Sequence, residues 1–230
     1  MSTARVSTDA VEQKTRRPQL GPPLLAPVVA FAVVTVIGVV VNRSTPHPDA
    51  TGAAVLAYDS AHATAAKVGS WLLFSAAIPL AIATGVIYRR LRALGISAPG
   101  AAIALIGGIS ASSALIASAT FGWTGAGLAM EPSATPALAR ALAGASYVTG
   151  GPAYAVMFGL LVAGIAVPML LTRLLPRTLA ITGLVIAAVG MVSSLAMLSV
   201  SFGFLLPVVR FGGLIWLVVT ACVLPRSRRN

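Results

Sequence analysis

Beyond its hydroxyls, this sequence offers few groups for proton transfer, metal binding or covalent catalysis: two histidines, five acids and one cysteine. Four of them fall between residues 42 and 63, namely His47, Asp49, Asp59 and His62. Imidazole nitrogen and carboxylate oxygen are zinc ligands, and Asp59 and His62, three residues apart on a helix, would share a face. His-x-Asp and Asp-x-x-His also arise by chance, so a solvated polar loop is the plainer reading, and no metal is assigned. The other focus is Arg210, 14 residues before Leu224 in an apolar run, about 21 Å up a helix rising about 1.5 Å per residue. An arginine at that depth calls for a partner and marks a candidate functional site. Asp59 and Glu131 are the nearby acids expected, and an Arg210–Asp59 or Arg210–Glu131 pair would close the outer face. The competing reading is that Arg210 snorkels to the headgroups, or starts its helix after a turn at 203–207.

Enzyme motifs fail in turn. There is no His-Glu-x-x-His, the helical zinc-peptidase arrangement. Gly144-Ala145-Ser146-Tyr147 resembles the serine element of intramembrane rhomboid peptidases. Both histidines, however, lie in the first outer link, so a buried Ser–His dyad is not expected. Haem between helices needs axial ligands on facing spans, and no span holds a histidine. Phosphate-loop and dinucleotide fingerprints are missing. No catalytic residue and no cofactor is assigned. The lone Cys222 has no internal disulfide partner and reads as a small packing residue.

The elements that must position these residues follow from composition. The chain has 230 residues, 57% hydrophobic and 9% charged, with mean hydropathy +0.93. Soluble domains carry roughly 25% charged residues, so this composition excludes a soluble protein, a disordered one and a collagen-like one. A helix needs about 20 apolar residues to cross a bilayer. Six runs meet or approach this, at about 24–41, 65–88, 101–123, 151–172, 179–200 and 204–224. The expected fold is all-α, a polytopic transmembrane six-helix bundle. Residues 1–22 form a flexible tail, 23–225 the transmembrane domain, and 226–230 a basic tail. The first run reads as an uncleaved anchor, since no small-x-small cleavage site follows it. Pro79 and Pro168 lie inside spans and are expected to kink them.

The net charge of +11 is topological rather than a nucleic-acid signal. With the N-terminus inside, 12 of 16 basic residues fall on the cytoplasmic side, and only Arg43, Lys67, Arg140 and Arg210 fall outside. Basic residues mark cytoplasmic links, so both termini are expected in the cytoplasm. Fourteen arginines against two lysines, with abundant alanine, suggest a GC-rich bacterium and hence its plasma membrane. The two long outer links contain helix-compatible stretches, 53–66 and 136–146, expected as two short extracytoplasmic helices capping the bundle. Ser133 or Thr135 would cap the second, and Gly150-Gly151-Pro152 would stop and restart the helix.

Helices associate in lipid through small residues. Stripes of these run along span three (Ala104, Gly108, Ser112; Gly107, Ala111, Ala114, Ser118), span four (Gly159, Ala163) and span five (Gly183, Gly190). The serines at 110, 112, 113 and 118 can bond to their own helix. Trp71 and Trp123 read as interfacial anchors, and Trp216 as packed between helices.

Several segments carry a resemblance: Thr149-Gly150-Gly151-Pro152, the run from Gly159 to Pro168, Leu174-Leu175-Pro176-Arg177, and Arg210-Phe211-Gly212-Gly213-Leu214-Ile215-Trp216-Leu217 followed by Leu224-Pro225-Arg226. Through these, the chain from Ala53 onward resembles a domain-of-unknown-function family of bacterial six-span integral membrane proteins. The resemblance implies a six-helix membrane protein and supplies neither an activity nor catalytic residues. The expected role is structural or regulatory, with a membrane-protein partner, a second copy or a lipid bound through the extracytoplasmic cap. The alternative is a small-solute transporter or channel with a polar path near Arg210, Tyr154 and the span-three serines. A membrane-embedded enzyme comes third. The lipid bilayer is the one partner that composition itself implies.

Overall fold

The computed structural model describes residues 23–225, and these form an all-α bundle with no strand among them. The two tails, with their six arginines and Lys14, lie outside the described residues. The helices are α1 (Leu25–Val41), α2 (Gly52–Ala93), α3 (Gly100–Leu128), α4 (Pro136–Val148), α5 (Tyr154–Thr172), α6 (Arg177–Val192), the short α7 (Leu205–Pro207) and α8 (Gly213–Val223). Five stretches are long and apolar enough to cross a membrane: Gly52–Ala93, Gly100–Leu128, Pro136–Thr172, Arg177–Met197 and Val200–Val223. Leu25–Val41 is apolar but, at 17 residues, shorter.

The capping helices are present, but they run on into the spans. Helix α2 has 42 residues, about 63 Å at about 1.5 Å each, against a hydrocarbon thickness of about 30 Å. Its first turns therefore project beyond its apolar segment, and His62 (φ −126°, ψ 25°) breaks the helical geometry between the two parts. Thr51 caps the start by accepting from the Ala54 N–H at 3.3 Å. Thr135 does the same for α4 through Leu138, with Pro136 in the first turn, where its missing N–H costs nothing. The expected stop at Gly150-Gly151-Pro152 does not occur. Residues Thr149–Ala153 wind as a single π turn that joins α4 to α5. The wider turn accommodates Pro152, which has no N–H to give to an α-helical ladder. A second π turn, Val208–Gly212, joins α7 to α8.

Packing follows the small-residue stripes. Helices α3 and α5 touch backbone to backbone at two levels: a side chain at Gly107 would strike Leu161 and Met157, and one at Gly164 would strike Ala104 and Gly100. Gly159 and Gly190 do the same for α5 and α6, and Gly108 receives Thr84 of α2. Trp216 is 2% exposed, lies against Gly183, and donates its indole N–H to Leu179 at 2.8 Å. Helix α1 packs on α2 and α8. Val29, Val33, Ile37, Ile78, Ile82, Ile106, Ile109, Val185 and Ile215 point outward, the pattern of helices whose surroundings are themselves apolar. Trp71 and Trp123 are also exposed. Cys222 corrects one expectation: it is exposed on α8 rather than packed inside.

The two ends differ. One carries Arg89, Arg90, Arg92, Arg173 and Arg177, and Arg90 there donates to the Leu224 carbonyl at 3.3 Å. The other carries α4, the projecting part of α2 and the connection 42–51, and it forms the cap.

Candidate functional site

Beneath the cap lies a cavity of about 440 Å³, within the roughly 300–1,000 Å³ range of small-molecule sites. Its wall is mainly apolar, with polar groups that include Asn42, His47, Asp59, Arg140, Tyr154 and Arg210. Helices α1 to α5 and the π turn before α8 all contribute.

The two π turns build its centre. Arg210, in the middle of the second, donates from its guanidinium to the carbonyl of Gly150 in the first. The guanidinium carbon also lies 5.3 Å from the centroid of the Tyr154 ring, a cation–π contact. Tyr154 stacks on Phe158 with centroids 5.4 Å apart, and Phe158 meets Phe31 at 6.2 Å. All three rings are fully buried, and Tyr154 is the one that lines the cavity. Beyond them the bundle is closed by Leu80, Ile87, Leu161, Ile165 and Met169, each at 0–1% exposure. Gly150 is required by a close approach: a side chain there would overlap Ser118. Ser118 cannot withdraw freely, because it donates to the Ser146 carbonyl at 2.8 Å while Ser146 donates back to the Ser118 carbonyl at 3.0 Å. Ser118 thus bonds across helices instead of to its own, whereas Ser112 bonds to Gly108 of its own helix.

Two hydroxyls around the cavity, those of Tyr147 and Tyr154, are buried and have no hydrogen-bond partner among the described residues. A buried unpartnered polar atom costs about 1–3 kcal/mol, and two of them on one cavity are informative.

The acids expected beside Arg210 do not pair with it. Among the described residues Arg210 forms no ion pair. Its partners are the Gly150 carbonyl and the Tyr154 ring, because the π turns bring those two next to it. Asp59 lines the same cavity without an ion pair, and a side chain at Gly125 would touch its carboxylate. It lies ahead of the kink, in the projecting part of α2, where partial burial raises its pKa above the usual carboxylate value. Glu131 is exposed in the turn after α3 and does not line the cavity.

The four residues of the first link do not converge. His47 pairs with Asp49 on the exposed connection at the rim. That hydrogen bond lowers the pKa of Asp49, with smaller help from the charges of His47 and Arg140. His62 instead contacts the Tyr58 carbonyl at 3.1 Å and stacks on the Tyr58 ring. The partner of His62 is thus the residue four positions before it on α2, and not Asp59. Among the described residues no three His, Cys, Asp or Glu side chains gather as a metal site. The connection itself is pinned by Asn42, whose amide lies against Gly69, and by Thr45, which donates to the Asn42 carbonyl at 2.7 Å.

Sequence reasoning singled out Arg210, Tyr154 and Asp59 but missed Arg140, Tyr147 and Asn42. Arg140 carried a usable signal, as a charge inside an otherwise apolar capping helix. Tyr147 and Asn42 carried none. No family model, no curated protein and no solved structure matches this chain.

Proposed function

We propose that this is a multi-pass protein of a bacterial plasma membrane that binds an amphiphilic ligand, a lipid or lipid-like molecule, in the cavity beneath its extracytoplasmic cap. The cavity carries the reading: a mainly apolar wall holding a few polar groups at one end of an otherwise closed bundle is the usual composition of a small-molecule site. The excess of arginine at the opposite end supports a cytoplasmic placement of that end and of both termini. On this reading α1 is the sixth span. At about 26 Å it needs slight local thinning of the bilayer or help from its flanks. The six-span resemblance agrees with this count and adds no activity.

A transporter is the second reading, favoured by the contact of Tyr154, Arg210 and Ser118 with the cavity. Against it, Pro79 and Pro168 lie outside the cavity wall, and the half of the bundle beyond Phe158 is packed.

Native mass spectrometry of the purified full chain tests the proposal. The wild type is expected to retain a defined amphiphile, and Ala66→Phe, which fills the wall with bulk and leaves every polar group in place, is expected to lose it at unchanged melting temperature. If no adduct is retained, or if Ala66→Phe retains it equally, the proposal fails. Solute flux in liposomes would move the assignment to the transporter.

A further inference from the structure

We infer that the cavity selects an oxyanion headgroup carried on an apolar chain, anchored by Arg210 and the Tyr154 hydroxyl. The inference rests on the amphiphile-binding reading and names the class of ligand.

Charge comes first. Arg140 and Arg210 line the cavity against one acid, Asp59. The excess is positive. Arg210 is the stronger of the two cations for this purpose. It is half-buried, and its hydrogen-bond acceptor among the described residues is a neutral carbonyl. A guanidinium has five N–H donors, and a cation withdrawn from water is costly without a counter-charge. An arginine fork matches a phosphate or carboxylate with two parallel hydrogen bonds.

The second observation is independent of charge. Tyr154 is 1% exposed, lines the cavity and holds the guanidinium over its ring, yet its hydroxyl has no partner among the described residues. An oxyanion seated on Arg210 supplies an acceptor for that hydroxyl as well. Its apolar chain would run along Val39, Leu206 and Phe211, which also line the wall. Phe211 is exposed on the outside of the bundle, so this wall faces the lipid from which such a molecule would come.

Equilibrium binding to the full chain in digalactosyldiacylglycerol nanodiscs, whose lipid carries no phosphate, tests this. The probes are lysophosphatidylglycerol (a phosphate oxyanion on one chain), a monoacylglycerol of the same chain (uncharged) and free glycerol phosphate. Losing a hydrogen bond to a charged group weakens binding by roughly tenfold or more. The lysophospholipid is therefore expected to bind about tenfold or more tighter than the monoacylglycerol. Tyr154→Phe, which removes only the hydroxyl, and Arg210→Lys, which keeps the charge and loses the fork, should each erase most of that preference. Helical circular dichroism as in the wild type shows that both variants still fold. Equal affinity for the two amphiphiles, or folded variants that keep the preference, would overturn the inference. Glycerol phosphate binding as tightly as the lysophospholipid would overturn the apolar-chain part and point to a free anion. If the two amphiphiles bind equally and Ala66→Phe abolishes both, amphiphile binding stands and only the headgroup assignment falls. If none of the three probes binds the wild type, both fall.

Discussion

At the scale of single residues, Gly150 decides the most. It lets α3 approach the π turn and leaves its carbonyl to Arg210. Gly150→Ala drives a methyl into Ser118, which the reciprocal Ser118–Ser146 clasp holds in place. Overpacking of this kind costs about 1–3 kcal/mol, to be read from the melting temperature. Gly85 is the contrast, because nothing lies within 4 Å of a side chain built there. Gly85→Ala should stabilise by about 0.5–1 kcal/mol, the usual gain of alanine inside a helix. If both substitutions shift stability the same way, the close approach at Gly150 is refuted. At the rim, the pKa of Asp49 is lowered by His47, so the bond favours the charged carboxylate. Its contribution is present above the ordinary carboxylate pKa and is lost as pH falls through the lowered value, below about pH 4. Amide exchange in residues 43–50 should therefore rise in that acid window relative to the rest of the cap. His47→Ala should show the same rise at neutral pH. A connection that stays equally protected in both cases would contradict this. Arg210 was legible in the sequence because so few charges compete for notice. Its partner was not, because a backbone carbonyl has no sequence signature.

At the scale of elements, the helices were legible from their apolar runs and their junctions were not. Glycine and proline together normally end a helix, yet a π turn carries the chain through Thr149–Ala153 and a second carries it through Val208–Gly212. Each turn is fixed by tertiary contact, Gly150 on Ser118 and Arg210 on Gly150, and a local pattern holds no trace of such contacts. Spacing does not choose between neighbours either: Asp59 and His62 are three apart on α2, yet His62 takes Tyr58, four residues before it, as its partner. One helix start was readable from chemistry alone, that of α4, for which Thr135 was one of two caps expected. Thr135 caps α4, and Thr135→Ala should cost about 0.5–2 kcal/mol. Since α4 forms part of the cavity wall through Arg140, Ala143 and Tyr147, loosened amide protection at residues 136–140 should accompany the lower melting temperature. A thermally neutral Thr135→Ala would mean that tertiary packing, not the cap, sets where α4 begins.

At the scale of the whole molecule, one end is packed and the other holds a cavity, and the proposed orientation turns the cavity away from the cytoplasm. The exposed turn after α3 tests it. Glu131→Cys should react with a membrane-impermeant maleimide on intact cells, and failure to react before lysis would invert the orientation. The native thiol does not interfere if the outward side of α8 is immersed in lipid, and this gives Cys222 a use of its own. It is the sole cysteine of the chain and it faces outward, two residues before Leu224. A nitroxide placed there needs no prior engineering and leaves the interior contacts intact. Its relaxation by dissolved oxygen, compared with that by a polar nickel chelate, would give the immersion depth of α8 in ångströms. The bilayer would then be located on this bundle by a ruler that the protein already carries.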